Sequence, residues 1–149
     1  MSIIFLACIL LTFASVISIW FQQIVVFPLF KNLRVQHIDA FYKSYKNNIL
    51  LFTLPLHSLE AFTTFITLIS FALQPNLSPK DETSFYLLGA TLFLLGIIHT
   101  ITFAAIKPGI KKLQSENATL NDYQQIHLWN FARAILWTIR LILIISILL

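Results

Sequence analysis

Thirty residues pass before the first charged side chain, Lys31. At about 1.5 Å of rise per residue, a helix needs about 20 mostly apolar residues to cross the roughly 30 Å hydrocarbon core of a bilayer. The stretch 3–30 exceeds that length. Comparable stretches follow at 49–73, where Glu60 is the single charge, at 84–106, which has none, and at 126–149, which holds Arg133 and Arg140. Breakers follow two of them: Gln74-Pro75-Asn76-Leu77-Ser78-Pro79 closes the second and Lys107-Pro108-Gly109 the third. The chain reads as one all-α domain, an integral membrane, up-down bundle of four helices.

Composition excludes the soluble alternative. Apolar residues make up 58% and charged residues 11% of the chain, against about 45–50% and about 25% in an ordinary soluble domain, too few charges to coat a wetted surface. The first apolar run lacks a basic leader and is longer than the 7–15 residues of a cleavable signal, so it is expected to stay as a helix. Phe5-Leu6-Ala7-Cys8 is only a faint lipoprotein-like site, with few residues ahead of it. The net charge of +4 does not point to nucleic acid, because the Lys and Arg residues form no basic arm and no nucleic-acid-binding motif accompanies them. A single cysteine, Cys8, excludes an intramolecular disulfide and any cysteine-based metal cluster.

The basic residues also orient the chain. Lys31, Arg34, Lys43 and Lys46 fall in the first connection and Lys107, Lys111 and Lys112 in the third, whereas the second has only Lys80. The positive-inside rule puts the first and third connections in the cytoplasm and both termini on the other side, in what is expected to be a bacterial inner membrane. Within the first connection, Ile38, Phe41, Tyr42 and Tyr45 recur at helical spacing among Lys43, Lys46 and Asp39, which suits either an interfacial helix on an anionic leaflet or a short structured loop. The sequons at Asn76 and Asn117 decide nothing, since the second would be cytoplasmic.

Each span carries unusual residues three and four apart, and hence on one helix face. They are Cys8, Ser15, Ser18 and Gln22 in the first; Thr53, His57, Glu60, Thr64 and Thr67 in the second; Gly89, Gly96 and His99 in the third; and Asn130, Arg133, Trp137 and Arg140 in the fourth. All four stripes are expected to turn inward, since lipid offers polar groups no partner. Counted from the cytoplasmic ends of the spans, Gln22, His57 and His99 lie ~12 Å deep, Glu60 ~16 Å, Arg133 ~8 Å and Arg140 ~18 Å. The polar groups therefore converge on the cytoplasmic half.

A charge at the centre of a span costs roughly 2.5–3.5 kcal/mol on insertion scales, so Glu60 and Arg140, matched in depth, are expected to pair. Such a pair serves either to fix helix register or to build a functional polar pocket that the histidines join. His57 and Glu60, at i and i+3, with His99 from the next span, fall short of a metal shell, and a bundle di-iron site would need further carboxylates. His57 with His99 as haem ligands has no supporting signature. Acid-base chemistry is better supported, with Glu60 or a histidine as proton acceptor. A serine or cysteine nucleophile is not: there is no G-x-S-x-G turn, and Cys8 lies far from the histidines. Gly89 and Gly96 are expected to allow close helix approach, Pro55 to kink its helix, and Trp20 and Trp129 to anchor at the interfaces. Trp137, deeper, is placed to stack on a ligand or an arginine.

The segment Asn130-Phe131-Ala132-Arg133-Ala134-Ile135-Leu136-Trp137-Thr138-Ile139-Arg140 resembles the Asn-Trp-x-Arg-Thr-x-x-Trp-x-x-Arg signature of small four-helix bacterial membrane proteins related to the anthrone oxygenases. The run from Gln22 to Phe30 is similar to the end of that family's first helix, and Pro55 with Glu60 to its Pro-x-x-x-x-Glu. Phe131 replaces the family's Trp, Ala134 its Thr, and Lys107-Pro108-Gly109-Ile110 stands where the family has Pro-x-His. The resemblance implies the four-helix fold and, as an activity, oxygenation of a polycyclic phenol. Membrane protoporphyrinogen oxidases are similar in size and topology, but their first-helix histidine is absent here.

The expected site is thus one pocket built from His57, Glu60 and His99 as acid-base groups and Gln22, Asn130, Arg133, Trp137 and Arg140 as binding groups, without a metal and with no cofactor identified. Its expected partners are the lipid bilayer, an apolar aromatic small molecule admitted from it, and further copies or a larger membrane complex. The rival expectation is a non-catalytic accessory subunit or a small proton-coupled carrier.

Overall fold

The computed structural model describes residues 3–32, 35–73, 79–114 and 119–147, and among them the secondary structure is helical, with no strand. The helices are α1 (Ile3–Phe21), α2 (Phe27–Asn32), α3 (Val35–Ala72), α4 (Pro79–Ile101), α5 (Lys107–Leu113) and α6 (Leu120–Ser146). Two π-helical segments, Gln22–Val26 and Thr102–Ile106, join α1 to α2 and α4 to α5 without a break. Four helical stretches are long and apolar enough to cross a membrane: Ile3–Leu29, Leu51–Ala72, Glu82–Leu113 and Leu120–Ser146.

Side-chain bonds show how the four pack. Cys8, Thr12 and Ser15 of α1 meet Thr64, Glu60 and His57 of α3, so that one index falls as the other rises in the same steps, the mark of antiparallel neighbours. Between α1 and α6 the pairs Thr12–Arg140 and Gln22–Arg133 run oppositely in the same way, as do Thr91–Arg140 and Thr102–Arg133 between α4 and α6. The bundle is therefore up-down, and α1 and α4 each pack against both α3 and α6. Three apolar clusters fill its length: Phe5, Cys8, Leu88, Ile144 and Ile147 at the terminal end, Val16, Ile19, Leu95, Ile98, Ala134 and Trp137 in the middle, and Val26, Phe27, Ile106, Ile110, Leu113 and Ile126 at the basic end.

Burial is inverted relative to a wetted protein. Phe93 is 70% exposed and Leu51 79%, whereas Thr12, Glu60, Thr64, Thr91, Asn130 and Arg140 are wholly enclosed.

Several local expectations change. Lys107-Pro108-Gly109 does not end the third span: the chain stays helical through the π segment Thr102–Ile106 and on to Leu113. Residues 35–48 form neither a separate interfacial helix nor a loop, since α3 runs unbroken from Val35 through Pro55 to Ala72; the side chains of Ile38, Tyr42 and Tyr45 lie outside the described residues, as do segment 74–78 and Asn117. The fourth helix starts earlier than its apolar run, at a capping box in which Thr119 and Asp122 satisfy each other's backbone N–H groups. Lys112 on α5 bonds Asp122 at 2.6 Å and ties this start to the preceding helix.

The glycines differ too. A Cβ on Gly89 or Gly96 would meet nothing within 4 Å, so neither mediates close helix approach. Gly109 does: a Cβ there would stand 2.5 Å from Ile126 Cγ1, and the missing side chain is what lets α5 lie against α6. Trp20 donates its indole N–H to Thr138 of α6 at 3.0 Å, within the bundle, whereas Trp129 is 46% exposed near the start of α6.

Candidate functional site

The polar residues gather at two levels rather than one. Arg133 and Arg140 lie seven residues apart on α6, about 10 Å along its axis.

At the level nearer the basic end, the two π segments set the geometry. Pro28 and Pro108 each stand six residues after the first residue of a π segment, Gln22 and Thr102 respectively. A proline lacks the N–H for the ordinary bond and its ring crowds the carbonyl four residues back. In both places the preceding residue bonds five residues back instead, Phe27 N–H to the Gln22 carbonyl and Lys107 N–H to the Thr102 carbonyl. Such bulges are frequent at functional sites. Here the side chains of both leading residues hold one guanidinium: Arg133 donates from Nη1 to Thr102 Oγ1 at 3.1 Å and from Nη2 to Gln22 Oε1 at 3.0 Å. Its Nη2 also donates to Asn130 Oδ1 at 2.6 Å. Asn130 in turn donates to Gln23 Oε1 at 2.7 Å, and Gln23 Nε2 lies 3.1 Å from His127 Nε2.

Beside Arg133 is a cavity of about 380 Å³, whose wall includes Gln22, His57, His99, Thr102, Lys107, Arg133 and Trp137 among Ile19, Phe27, Ala61, Ile98, Ile106 and Ile110. Among the described residues this wall holds no carboxylate. Its exposed members, Leu54, Ser58, Phe103 and Lys107, belong to α3 and to the third span, so the mouth is the seam between those two. His99 Nδ1 is 2.8 Å from the Leu95 carbonyl, an acceptor only, so Nδ1 carries the proton and Nε2 is the lone-pair nitrogen of the neutral ring. His57 stacks on Trp137 with centroids 5.0 Å apart and places Nδ1 3.3 Å from Ser15 Oγ.

The second level, at mid-bundle, is sealed. Arg140 forms an ion pair with Glu60 and touches all four spans, donating to Thr12 Oγ1 on α1 at 3.3 Å, Thr64 Oγ1 on α3 at 2.9 Å and the Thr91 carbonyl on α4 at 3.0 Å. Thr12 also donates to Glu60 Oε1 at 3.0 Å. Neither Glu60 nor Arg140 lines the cavity, and both are fully enclosed. Trp137 lies between the levels, with its ring 5.3 Å from the Arg140 guanidinium.

Of the eight residues expected to share one pocket, the structure thus places Gln22, His57, His99, Arg133 and Trp137 at the cavity, Asn130 behind Arg133, and Glu60 with Arg140 in a separate staple. Among the described residues no three His, Cys, Asp or Glu side chains cluster to hold a metal. The sequence reading missed Thr102, Gln23, His127, Thr12 and Thr91. Thr12 continues the stripe of Cys8 and Ser15, and Thr102 stands one turn beyond His99, so both were open to the same spacing rule. His127, three residues before Asn130, was open to it as well, whereas Gln23, next to Gln22, lies off the chosen face.

No protein-family model, no curated protein and no solved structure matches the chain.

Chemically, the cavity offers an apolar chamber with a fixed cation at one end, an imidazole lone pair beside it, and access from the side of the bundle. These groups suit an apolar ligand with an acidic or enolisable oxygen, since an imidazole lone pair is able to take a proton and a guanidinium to stabilise the resulting anion.

Proposed function

We propose that the protein is an integral membrane four-helix bundle, with its basic end in the cytoplasm and both termini across the bilayer, that takes an apolar aromatic acid from lipid and acts on it as an oxidoreductase. The observation that carries this reading is the carboxylate-free cavity opening through the seam of the second and third spans with His99, His57 and Arg133 in its wall. Exposed apolar flanks on all four helices and the excess of Lys and Arg at one end support the membrane placement.

The reaction that suits these groups is oxygenation of a phenolic carbon acid. His99 Nε2 accepts one proton of the CH2 group, and the electron pair delocalises onto the conjugated carbonyl oxygen near Arg133; dioxygen then adds to the carbanion, and the O–O bond breaks so that one oxygen atom stays as the new carbonyl and the other leaves as water with the two hydrogens of the CH2 group. The resemblance to the anthrone-oxygenase relatives supports the substrate class. Glu60 takes no part as base, because Thr12 and Arg140 enclose its carboxylate away from the cavity.

Protein in lipid nanodiscs, given a hydroxylated anthrone in air, is expected to form the quinone product well above the rate of empty discs, and His99→Ala to lose most of that excess. Equal rates with wild-type, variant and empty discs would overturn the enzymatic reading. The sealed staple favours a second reading, a non-catalytic accessory subunit, since the costliest polar groups of the bundle serve its architecture; stoichiometric copurification with a larger membrane complex would support it.

A further inference from the structure

Arg133 is a donor at every nitrogen and an acceptor at none. That one property fixes the direction of the hydrogen bonds behind it. Asn130 must present its oxygen to Arg133 Nη2, and therefore its Nδ2 to Gln23. Gln23 must then present its oxygen to Asn130, and therefore its Nε2 to His127. At the end of the chain His127 Nε2 is left to accept, which a histidine does only as the neutral ring with its proton on Nδ1.

We propose that Gln23 and His127 are positioning residues for Arg133, and that protonation of His127 disengages it from the cavity. This rests on the cavity reading above. A protonated His127 presents a donor at Nε2, against the Gln23 donor 3.1 Å away. Gln23 relieves the conflict by turning its oxygen to His127, which turns its Nε2 to Asn130; Asn130 must then turn its own oxygen to Gln23 and its Nδ2 to Arg133. Two donors now meet at Nη2, and the guanidinium loses its shortest bond, the 2.6 Å contact to Asn130. The signal travels through two side-chain amides, Gln23 and Asn130, without a proton moving along them.

His127 is placed to sense the cytoplasmic end. It is half-buried, borders an open surface pocket with Tyr123, Gln124, Leu128 and Phe131, and has the Tyr123 ring at 5.9 Å. The titratable and charged groups around it are otherwise engaged or apart. The first span presents the neutral Gln23, α2 carries Lys31, whose side chain lies outside the described residues, and on α5 Lys112 is taken up by Asp122 while Lys111 is exposed. Lys107, where α5 begins, lies over the Phe103 ring.

The test uses the full chain in nanodiscs of uncharged lipid, with Trp20 and Trp129 replaced by Phe so that Trp137 reports the cavity. The probe is a brominated naphthalenesulfonate, apolar, quenching and charged at every pH used. Positive charge gained by the histidines of the cavity wall strengthens an anionic probe, so the His127 contribution is read between variants: from pH 8 to 5 wild type is expected to lose about tenfold in affinity relative to His127→Gln, the loss of roughly one hydrogen bond to a charged group. In His127→Gln the side-chain oxygen accepts from Gln23 at every pH, and affinity at pH 8 is kept. Gln23→Glu, which accepts from both neighbours and suits a protonated His127, should reverse the sign of the His127 contribution. Should Arg133→Met weaken the probe while wild type and His127→Gln follow the same pH course, the positioning role is wrong and the cavity reading stands. Should Arg133→Met leave the probe unaffected, both are wrong.

Discussion

Two arginines on one helix face, seven residues and about 10 Å apart along the axis, are held in opposite ways. Arg140 meets a carboxylate, three threonines' worth of oxygens and no cavity, and it binds all four spans together. Arg133 is held by the neutral oxygens of Gln22, Thr102 and Asn130 at the edge of a cavity. A carboxylate satisfies a buried cation and also neutralises its field, so the first arrangement makes a joint. Amide and hydroxyl oxygens fix a guanidinium while leaving its charge in place, so the second makes a site that still attracts an anion.

Removing one member of the joint should be the largest single insult to this fold. Arg140→Met leaves the Glu60 carboxylate enclosed without its cation, and a cost of about 3–5 kcal/mol is expected in detergent unfolding followed by tryptophan fluorescence. The double variant Glu60→Met with Arg140→Met should recover most of it, because two well-packed apolar side chains of similar volume replace a buried ion pair at little cost. If the double variant is as unstable as the single one, the joint depends on the threonine contacts more than on the charge pair.

Arg133→Met separates the two roles from the other side. It is expected to weaken an anionic cavity ligand by roughly 30- to 100-fold, the value of a well-placed charge at a developing or resident anion. Its effect on stability should stay near 1–3 kcal/mol, from the oxygens of Gln22 and Asn130 that lose their donor. Loss of stability comparable with Arg140→Met, and no loss of ligand, would make the two arginines equivalent after all.

What the sequence made legible follows from this contrast. Apolar runs of bilayer length and polar residues at helical spacing were enough for four helices, their up-down order and the inward faces of the first, second and fourth; in the third the buried face is Ser84, Leu88, Thr91, Leu95 and Ile98, and Gly96 is exposed. Depth counting paired Glu60 with Arg140 correctly, because two unlike charges buried at one level have few alternatives. It also set Arg133 and Arg140 about 10 Å apart in depth, but depth along an axis does not say whether packed side chains close one level off from the other, and Trp137 stands between them. Nor did it find the clasp on Arg133: the π segments depend on Pro28 and Pro108 sitting at the same offset from Gln22 and Thr102, a relation between two distant spans that no single-helix periodicity contains. The glycines misled for a related reason. Gly89 and Gly96 share a face with His99 by spacing, yet that face is not the buried one, since Gly96 is exposed and no atom lies within 4 Å of a Cβ at either position; the close approach fell to Gly109.

That glycine offers the finest test of whether the two levels are independent. Gly109→Ala introduces a Cβ 2.5 Å from Ile126 Cγ1, on the residue next to His127, so the Ile126 side chain or the α5–α6 spacing has to give. Overpacking of this kind costs about 1–3 kcal/mol, and Ile126→Val in the same chain should return part of it by removing a methyl group. The strain enters at the basic end and should reach the Gln23–His127 contact first, lowering anionic-probe affinity at pH 8 while the Glu60–Arg140 joint keeps its contribution to unfolding. Gly96→Ala, with nothing within 4 Å of the new methyl group, is the matched control and should shift stability by no more than about 1 kcal/mol, in the favourable direction given alanine's better helix propensity. Equal losses of probe affinity in both variants would mean that any perturbation of the third span reaches the cavity, and that the contact of α5 with α6 has no special place in holding it.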